Sequence, residues 1–261
     1  LNSNQLQWNR FECSPLERLI LCLEFTLEIQ SNSLMYNPNK EIRDRYRTVP
    51  QESSIDSLIK DNTTKENYEF FKEIFKSTIL YRDIDSIRKY AIQNSLSNDK
   101  QKELFYLEFG VFKGESTNFF SNYVKKIYAF DSFEGLREDW LGFWGKGKGD
   151  FNLNKKIPKL NSNIEPIVGF VQDTLDNFLK KNNPKINFVH LDMDTYPSTK
   201  YALERLKPFL SKDAIIIFDE LYNYPGWESG EYKALKEVFK DEEYVYKAFN
   251  TSDRQAVIQI K

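Results

Sequence analysis

The fold is decided by the stretch Leu107-Glu-Phe-Gly-Val-Phe-Lys-Gly-Glu-Ser116. An apolar run ends at Gly110, and a second glycine, Gly114, comes just before a segment with helical character. This order predicts a buried strand, a tight turn and the beginning of a helix, whose first amide groups are free to bind an anion. The spacing is not the GxGxxG of dinucleotide binding, and an ordinary strand-to-helix turn explains the stretch equally well.

The same alternation of short apolar runs and helical segments continues beyond this stretch. Four more runs are rich in Ile, Val, Phe or Tyr and end at acidic or glycine-containing turns: 126–130, 165–170, 186–191 and 214–218. Alternation of this kind predicts βαβ units and a parallel sheet, that is, an α/β fold. The final residues, 244–249 and 255–260, read as two strands joined by a turn, which predicts an antiparallel hairpin at the sheet edge.

The N-terminal part of the chain reads differently. Residues 1–97 are predicted to form a helical region, which includes an amphipathic helix from about Lys65 to Leu80. We therefore place a domain boundary at residues 97/98, with the ligand-binding domain over 98–261.

In an open α/β sheet, ligands bind beyond the carboxyl ends of the strands. Asp131 ends the second predicted strand, 21 residues beyond Gly110, where a carboxylate can hold a ribose diol. Gln172 and Asp173 follow the third strand and could meet an adenine edge. Asp131 and Asp173 could equally cap the helices that follow them.

Carboxylates are predicted to converge where the fourth and fifth strands end. Asp192 and Asp194 follow one strand, and Asp219 and Glu220 follow the next. Oxygen ligands at this density suit a hard divalent cation such as Mg²⁺, although some of these side chains could instead cap helices or face solvent. His190 is interpreted as a buried, hydrogen-bonded core residue in preference to a catalytic base.

Five motifs in this order resemble the class I S-adenosylmethionine-dependent methyltransferases, and within them the macrocin O-methyltransferase family. Besides the stretch at 107–116, they are Phe-Asp-Ser-Phe-Glu-Gly-Leu at 130–136, Gly-Phe-Val-Gln-Asp-Thr-Leu at 169–175, His-Leu-Asp-Met-Asp-Thr-Tyr-Pro-Ser-Thr at 190–199 and Phe-Asp-Glu at 218–220. The resemblance covers about residues 104–261. It implies a Rossmann-like, doubly wound sheet of seven strands whose last strand is antiparallel.

The resemblance also implies roles for the matched positions. Cofactor-binding positions would be Glu108, Gly110, Gly114 and Ser116 around the methionine part, Asp131, Ser132 and Phe133 around the ribose, and Gln172 and Asp173 at the adenine. In metal-dependent members, carboxylates that match Asp192, Asp219 and Glu220 bind Mg²⁺ and the hydroxyls of the acceptor. The chain departs from the family pattern at Arg137, where proline is common, and at Glu220, where Asp or Asn is frequent.

The expected reaction is methyl transfer from S-adenosylmethionine to a hydroxyl of a small molecule, a sugar or sugar-containing natural product, with Mg²⁺ assistance. The catalytic candidates are Asp192, Asp194 and His190, and the choice of base between Asp194 and His190 stays open. Two alternatives remain: a metal-independent small-molecule methyltransferase, and a non-catalytic cofactor-binding module of a larger assembly.

Composition excludes several other classes of protein. The 261 residues contain 37 Lys and Arg against 39 Asp and Glu, which argues against a nucleic-acid binder with a broad basic surface. One histidine and two cysteines exclude a zinc finger and a disulfide framework. Since no apolar run approaches the roughly 18 residues of a membrane span, we expect a cytoplasmic protein without a membrane partner. Self-association stays open, with the N-terminal region as a lid or an oligomer contact.

Overall fold

The structure, a computed structural model, describes residues 54–100, 103–142 and 145–261. The part of the predicted N-terminal region that precedes residue 54 therefore lies outside the described residues. Residues 56–261 form one compact unit. No helix among the described residues is both long enough and apolar enough to cross a membrane.

Helices and strands alternate through this part of the chain. In order they are α1 (Ile55–Phe75), β1 (Ile79–Tyr81), α2 (Ile84–Asn98), β2 (Phe105–Phe109), α3 (Glu115–Ser121), β3 (Ile127–Asp131), β4 (Ile164–Val168), α4 (Val171–Asn182), β5 (Ile186–Leu191), α5 (Tyr196–Leu206), β6 (Leu210–Phe218), α6 (Glu231–Val238), β7 (Tyr244–Asn250) and β8 (Ala256–Ile260). Short 3₁₀ turns follow α5 and precede α6 and β7.

The described strands form one eight-stranded sheet in the order β1-β7-β8-β6-β5-β2-β3-β4. Strand β8 pairs antiparallel with both β6 and β7, while the other neighbours are parallel. The predicted α/β sheet with an antiparallel last strand is therefore confirmed. The implied number of seven strands is one too low for the described residues, because β1 adds a strand at the edge.

The additional strand lies in a segment that sequence patterning assigned to a helix. Helix α1 ends at Phe75 instead of Leu80, and Ile79 pairs in parallel with Ala248 of β7. The hydroxyls of Ser77 and Thr78 donate hydrogen bonds back to the carbonyls of the last helical turn, which closes the helix. Residues 56–97, assigned from sequence to a separate region, thus share one compact unit with the sheet.

Both faces of the sheet are covered. Successive residues of β5 alternate between two apolar clusters, with Phe188 in one and Val189 in the other. Because side chains alternate along a strand, His190 lies on the same face as Phe188, and its neighbour Glu108 in β2 shares that face. This face is the one covered by α2, whose Ile87 and Ile92 belong to the same cluster as Phe188. The alternation places polar side chains beneath the carboxyl edge of the sheet.

Candidate cofactor and acidic site

A cavity of about 410 Å³ opens at the carboxyl ends of the parallel strands. Seven of the predicted site residues line it, from five consecutive strand ends or the turns that follow them: Gly110, Asp131, Ser132, Gln172, Asp192, Asp194 and Glu220. The structure thus brings polar groups together at this edge of the sheet, as the order of the strand ends predicts.

The turn after β2 depends on the absence of a side chain at Gly110. Its amide donates to the carbonyl of Phe130 at 2.9 Å, and its φ is +89°. A Cβ atom on Gly110 would lie 1.7 Å from the carbonyl oxygen of Asp192, far inside van der Waals contact. Only glycine allows the turns after β2 and β5 to pass each other this closely.

Asp131 binds the turn after β2 with its carboxylate. Oδ2 accepts hydrogen bonds from the amides of Val111 and Phe112 at 2.7 and 2.8 Å, and Oδ1 accepts one from the amide of Phe133 at 2.6 Å. The sequence suggested a ribose ligand or a helix cap. The structure shows a carboxylate that fixes two loops of the cavity wall. Oδ1 accepts a single backbone bond and retains a lone pair for a hydroxyl.

The remaining predicted cofactor residues divide into two groups. Gln172 lines the cavity, and its amide group is held by Arg137 at 3.2 Å and Ser198 at 3.4 Å. Asp173 is exposed at the first turn of α4 and does not line the cavity. The other four are buried and do not line the cavity: Glu108, Gly114, Ser116 and Phe133.

A network of buried charges lies beneath the cavity. His190 is fully buried, with Nδ1 2.9 Å from Glu108 Oε1 and Nε2 3.3 Å from Asp219 Oδ1. Burial alone would lower the pKa of His190, but the hydrogen bonds to Asp219 and Glu108 outweigh it and raise the pKa to about 9. The interpretation of His190 as a buried core residue is confirmed. With both ring nitrogens engaged and no contact with the cavity, the geometry does not support His190 as a base.

Asp219 belongs to this network and does not line the cavity. Its Oδ1 also accepts from Arg88 Nη2 at 3.3 Å, and its Oδ2 accepts from Gln255 Nε2 at 3.2 Å. Burial would raise the pKa of Asp219, but the hydrogen bond and charge of His190 hold it well below its usual value. Asp219 is therefore ionised and pairs with two positively charged side chains, Arg88 and His190.

A second set of carboxylates faces the cavity. One oxygen each of Asp192, Asp194 and Glu220 lies within 4.8 Å of the other two. Burial and the negative charge of Asp219 raise the pKa of Asp192 to about 7. Burial also raises the pKa of Asp194 and of Glu220 well above the usual range, with further contributions from neighbouring carboxylates. The oxygen atoms and the excess negative charge fit a hard divalent cation.

Glu231, at the first position of α6, was not predicted as a site residue and lies directly behind this set. It is fully buried, and its carboxylate accepts from the amide of Glu220 at 3.0 Å and from the hydroxyl of Thr199 at 3.3 Å. Burial raises the pKa of Glu231 to about 8. No sequence signal distinguished this glutamate from an ordinary residue of an amphipathic helix.

The connection between β3 and β4 supplies a cavity wall that sequence reasoning missed. Arg137, Trp140, Lys146 and Phe151 all lie on this connection and line the cavity. Glu138 attaches the connection to the beginning of α5, since its Oε1 accepts from Thr195 Oγ1 at 2.5 Å and Ser198 Oγ at 3.2 Å. The length of this glycine-rich connection was the available signal.

Aromatic residues of the loop after β6 do not face the cavity. Tyr222, Tyr224 and Trp227 are almost completely buried. Phe71 of α1 contacts both Tyr222 and Trp227, at ring-centroid distances of 5.5 and 5.3 Å. These aromatic side chains therefore pack in the core.

Comparisons with known proteins agree with this description. Residues 107–221 match the model of a family described as "Methyltransferase domain". Among solved structures, the chain is similar to CalS11, calicheamicin methyltransferase, with 19% identity, a TM-score of 0.50 and 99% of both chains covered. It is similar also to the apo structure of CalS11, described as a TDP-rhamnose 3'-O-methyltransferase, with 18% identity and a TM-score of 0.50 over 82% of this chain and 97% of that one. At these identities the likeness concerns the fold.

One further likeness is limited to a short stretch. The chain is 31% identical over 113 residues to the chaperone protein HtpG of Clostridium botulinum, which is 43% of this chain and 17% of that protein. The chain thus spans less than a fifth of the length of the curated relatives that it matches. Residues 107–221 thus match a methyltransferase domain, and the chain has the same fold as CalS11.

Proposed function

We propose that the chain transfers a methyl group from S-adenosylmethionine to a hydroxyl of a small molecule, because residues 107–221 match the model of a methyltransferase domain. The proposed acceptor is a sugar or a sugar-containing natural product, and a divalent cation such as Mg²⁺ assists. One observation carries the proposal: Gly110, Asp131 and Gln172 line one side of a single cavity, and a group of carboxylates lies beside them.

The cofactor side of the cavity has the polar groups that a nucleoside requires. Asp131 Oδ1 retains a lone pair for a ribose hydroxyl, and Gln172 is held in place by Arg137 and Ser198. Phe170 lines the same side and lies beneath the Arg137 guanidinium, 5.1 Å from the ring centroid. S-adenosylmethionine, when bound, supplies the electrophilic methyl group. The chain orients the cofactor and excludes water.

The acidic side of the cavity suits an acceptor with neighbouring hydroxyls. Glu220 Oε2 is buried and lacks a hydrogen-bond partner among the described residues, as expected for an atom that awaits a ligand. A divalent cation at these carboxylates would lower the pKa of a coordinated hydroxyl. Among the catalytic candidates, Asp192 and Asp194 face the cavity, and either, when ionised, can take the hydroxyl proton.

The choice of a sugar acceptor is supported by two further observations. Trp140 and Phe151 give the cavity apolar walls, while Thr195 and Ser198 add hydroxyl groups, a combination that suits a sugar ring. The structurally similar CalS11 is described as a TDP-rhamnose 3'-O-methyltransferase. Nucleotide sugars and free sugars with neighbouring hydroxyls are therefore the acceptors to try first.

The first test separates cofactor binding from transfer. Calorimetric titration with S-adenosylhomocysteine is expected to show micromolar binding that weakens about tenfold in Gln172→Ala, because one or two hydrogen bonds are lost. The matched control is Asp173→Asn, which alters an exposed neighbour outside the cavity and is expected to bind as the wild type does.

The second test measures transfer of a labelled methyl group from S-adenosylmethionine to a panel of sugar diols and nucleotide sugars, with Mg²⁺ or with EDTA. Mg²⁺-dependent transfer supports the proposal. Full transfer in EDTA would instead indicate a metal-independent methyltransferase. Tight cofactor binding without turnover on any acceptor would indicate a non-catalytic binding module, and absence of cofactor binding would refute the proposed function.

A further inference from the structure

The side-chain amide of Gln172 is held at both of its polar atoms. Arg137 Nη1 donates a hydrogen bond to Gln172 Oε1 at 3.2 Å, and Gln172 Nε2 donates one to Ser198 Oγ at 3.4 Å. All three residues line the cavity. A glutamine amide has two acceptor sites on its oxygen and two hydrogens on its nitrogen, so these two contacts leave one of each for a ligand.

The chemistry of the neighbouring groups decides which way this amide points. A guanidinium only donates hydrogen bonds, so the atom that faces Arg137 must be the amide oxygen. The hydroxyl of Ser198 donates its hydrogen to Glu138 Oε1 at 3.2 Å, so the Ser198 oxygen accepts from the atom that faces it. That atom must be the amide nitrogen. Arg137 and Glu138, adjacent in sequence on the β3–β4 connection, therefore specify the same orientation of Gln172.

Gln172 lies where a base attached to a ribose at Asp131 would arrive. Strand β4 pairs in parallel with β3, and the amide of Gly169, just after β4, donates to the carbonyl of Asp131 at 2.9 Å. The turn that leads to Gln172 therefore begins directly beside Asp131. Phe170, in the same turn, lines the cavity and provides an aromatic ring against which a base can pack.

We propose that Arg137 is a positioning residue that makes the cofactor site selective for adenine over purines that carry an oxo group in place of the amino group. A glutamine amide pairs with adenine through both of its polar atoms, because its oxygen accepts from the exocyclic amino group and its nitrogen donates to a ring nitrogen. In hypoxanthine a carbonyl oxygen replaces the amino group and would face the amide oxygen of Gln172. Arg137 prevents the amide from turning over to accommodate that carbonyl.

The inference rests on the proposed function, since it takes the cofactor to be S-adenosylmethionine. It goes beyond that function by naming the residue that sets the selectivity for the base. Arg137 is also a position at which the chain departs from the family pattern, so that pattern does not assign this role.

The experiment compares two ligands that differ only in the base. S-adenosylhomocysteine and S-inosylhomocysteine, its hypoxanthine analogue, are titrated calorimetrically into the full chain. The wild type is expected to bind S-adenosylhomocysteine at least about tenfold more tightly. Arg137→Met keeps an apolar side chain but no donor, and is expected to reduce this preference to about threefold or less. Gln172→Met removes both polar atoms of the amide and is expected to lose the preference as well.

Lys148→Met is the matched control. It has the same replacement and the same loss of charge on the same connection, at an exposed residue outside the cavity, and is expected to keep the wild-type preference. If Arg137 only stabilised the wall, its loss would weaken both ligands equally and leave the ratio of their affinities unchanged. The ratio therefore separates positioning of Gln172 from a general structural role.

A wild-type ratio in Arg137→Met or in Gln172→Met would overturn the inference, and so would a loss of preference in Lys148→Met. Equal affinity of the wild type for the two ligands would overturn it too, but binding of S-adenosylhomocysteine would leave the proposed function standing. A wild type that binds neither ligand would refute the proposed function and this inference with it. Loss of preference in Arg137→Met and Gln172→Met alone would support the inference.

Discussion

Replacement of Asp131 by asparagine tests what holds the cofactor side of the cavity together. The carboxylate accepts three backbone hydrogen bonds, from the amides of Val111, Phe112 and Phe133. Asparagine keeps one oxygen, which can serve the first two amides without the benefit of charge. Its amide nitrogen then faces the amide of Phe133, so that two donors oppose each other and the third bond is lost.

The magnitude follows from these contacts. A hydrogen bond to a charged group contributes about 1.5–3 kcal/mol and a neutral one about 0.5–1.5 kcal/mol, so two weakened bonds and one lost bond cost about 3 kcal/mol. With a urea m-value of about 2–3 kcal/mol/M, the unfolding midpoint of Asp131→Asn is expected to fall by about 1 M. S-adenosylhomocysteine affinity is expected to fall with it, because the turn after β2 forms the cavity wall.

The assay is equilibrium unfolding in urea, followed by tryptophan fluorescence and by circular dichroism. Asp173→Asn has the same chemical change at an exposed position and is expected to alter stability by less than about 0.5 kcal/mol. If Asp131→Asn is as stable as this control, the carboxylate does not fix the two loops. Its three backbone hydrogen bonds would then contribute little to the stability of the folded chain, which refutes the reasoning.

Three further outcomes are expected. Gly110→Ala should destabilise the chain by at least about 3 kcal/mol in urea unfolding, because its Cβ would lie 1.7 Å from the Asp192 carbonyl at a φ of +89°; a loss below about 1 kcal/mol, which is the cost of the positive φ alone, would contradict this packing. The pKa of His190 rises from 6.5 to about 9 on folding, so its stabilisation is complete below pH 6.5 and is lost as the pH rises through 9. In metal-free buffer, the contribution of His190 to the unfolding free energy should therefore fall by about 3 kcal/mol between about pH 6.5 and 9.5, and His190→Gln should remove this part of the decline; an unchanged slope would refute the assignment. Glu138→Ala should release the β3–β4 connection from α5 and weaken S-adenosylhomocysteine binding about fivefold in calorimetry, while affinity equal to wild type would show that this contact does not matter for the cavity.

The fold could be predicted from sequence because its elements depend on local patterns. Short β-rich runs that end at glycine or acidic residues identified the core strands, and Gly110 was recognised as a turn residue from its position alone. The edge strand Ile79–Tyr81 was missed because its apolar residues continue a helical pattern. Only the hydrogen-bonded pairing with β7, about 170 residues away in sequence, decides that this segment is a strand and not a helix.

The candidate site could be predicted only in part. Strand ends gave the positions of Asp131, Asp192 and Glu220, since parallel strands end at the same edge. What each carboxylate contacts depends on residues that no motif identifies. Glu231 reaches the acidic group from a later helix, and Arg88 reaches Asp219 from 131 residues earlier. Distant partners of this kind are set by packing of the whole fold.

The donors of Asp219 have a consequence for the length of chain that this acidic site requires. Two of the three, Arg88 and Gln255, lie outside residues 107–221, on opposite sides of that segment in sequence. A segment cut at the limits of the family match would keep Asp219 and His190 but lose both of these donors. The length of chain that keeps these contacts is therefore greater than residues 107–221, which the family model matches. A graft that retains a working acidic site must bring α2 before the segment and the β7–β8 hairpin after it.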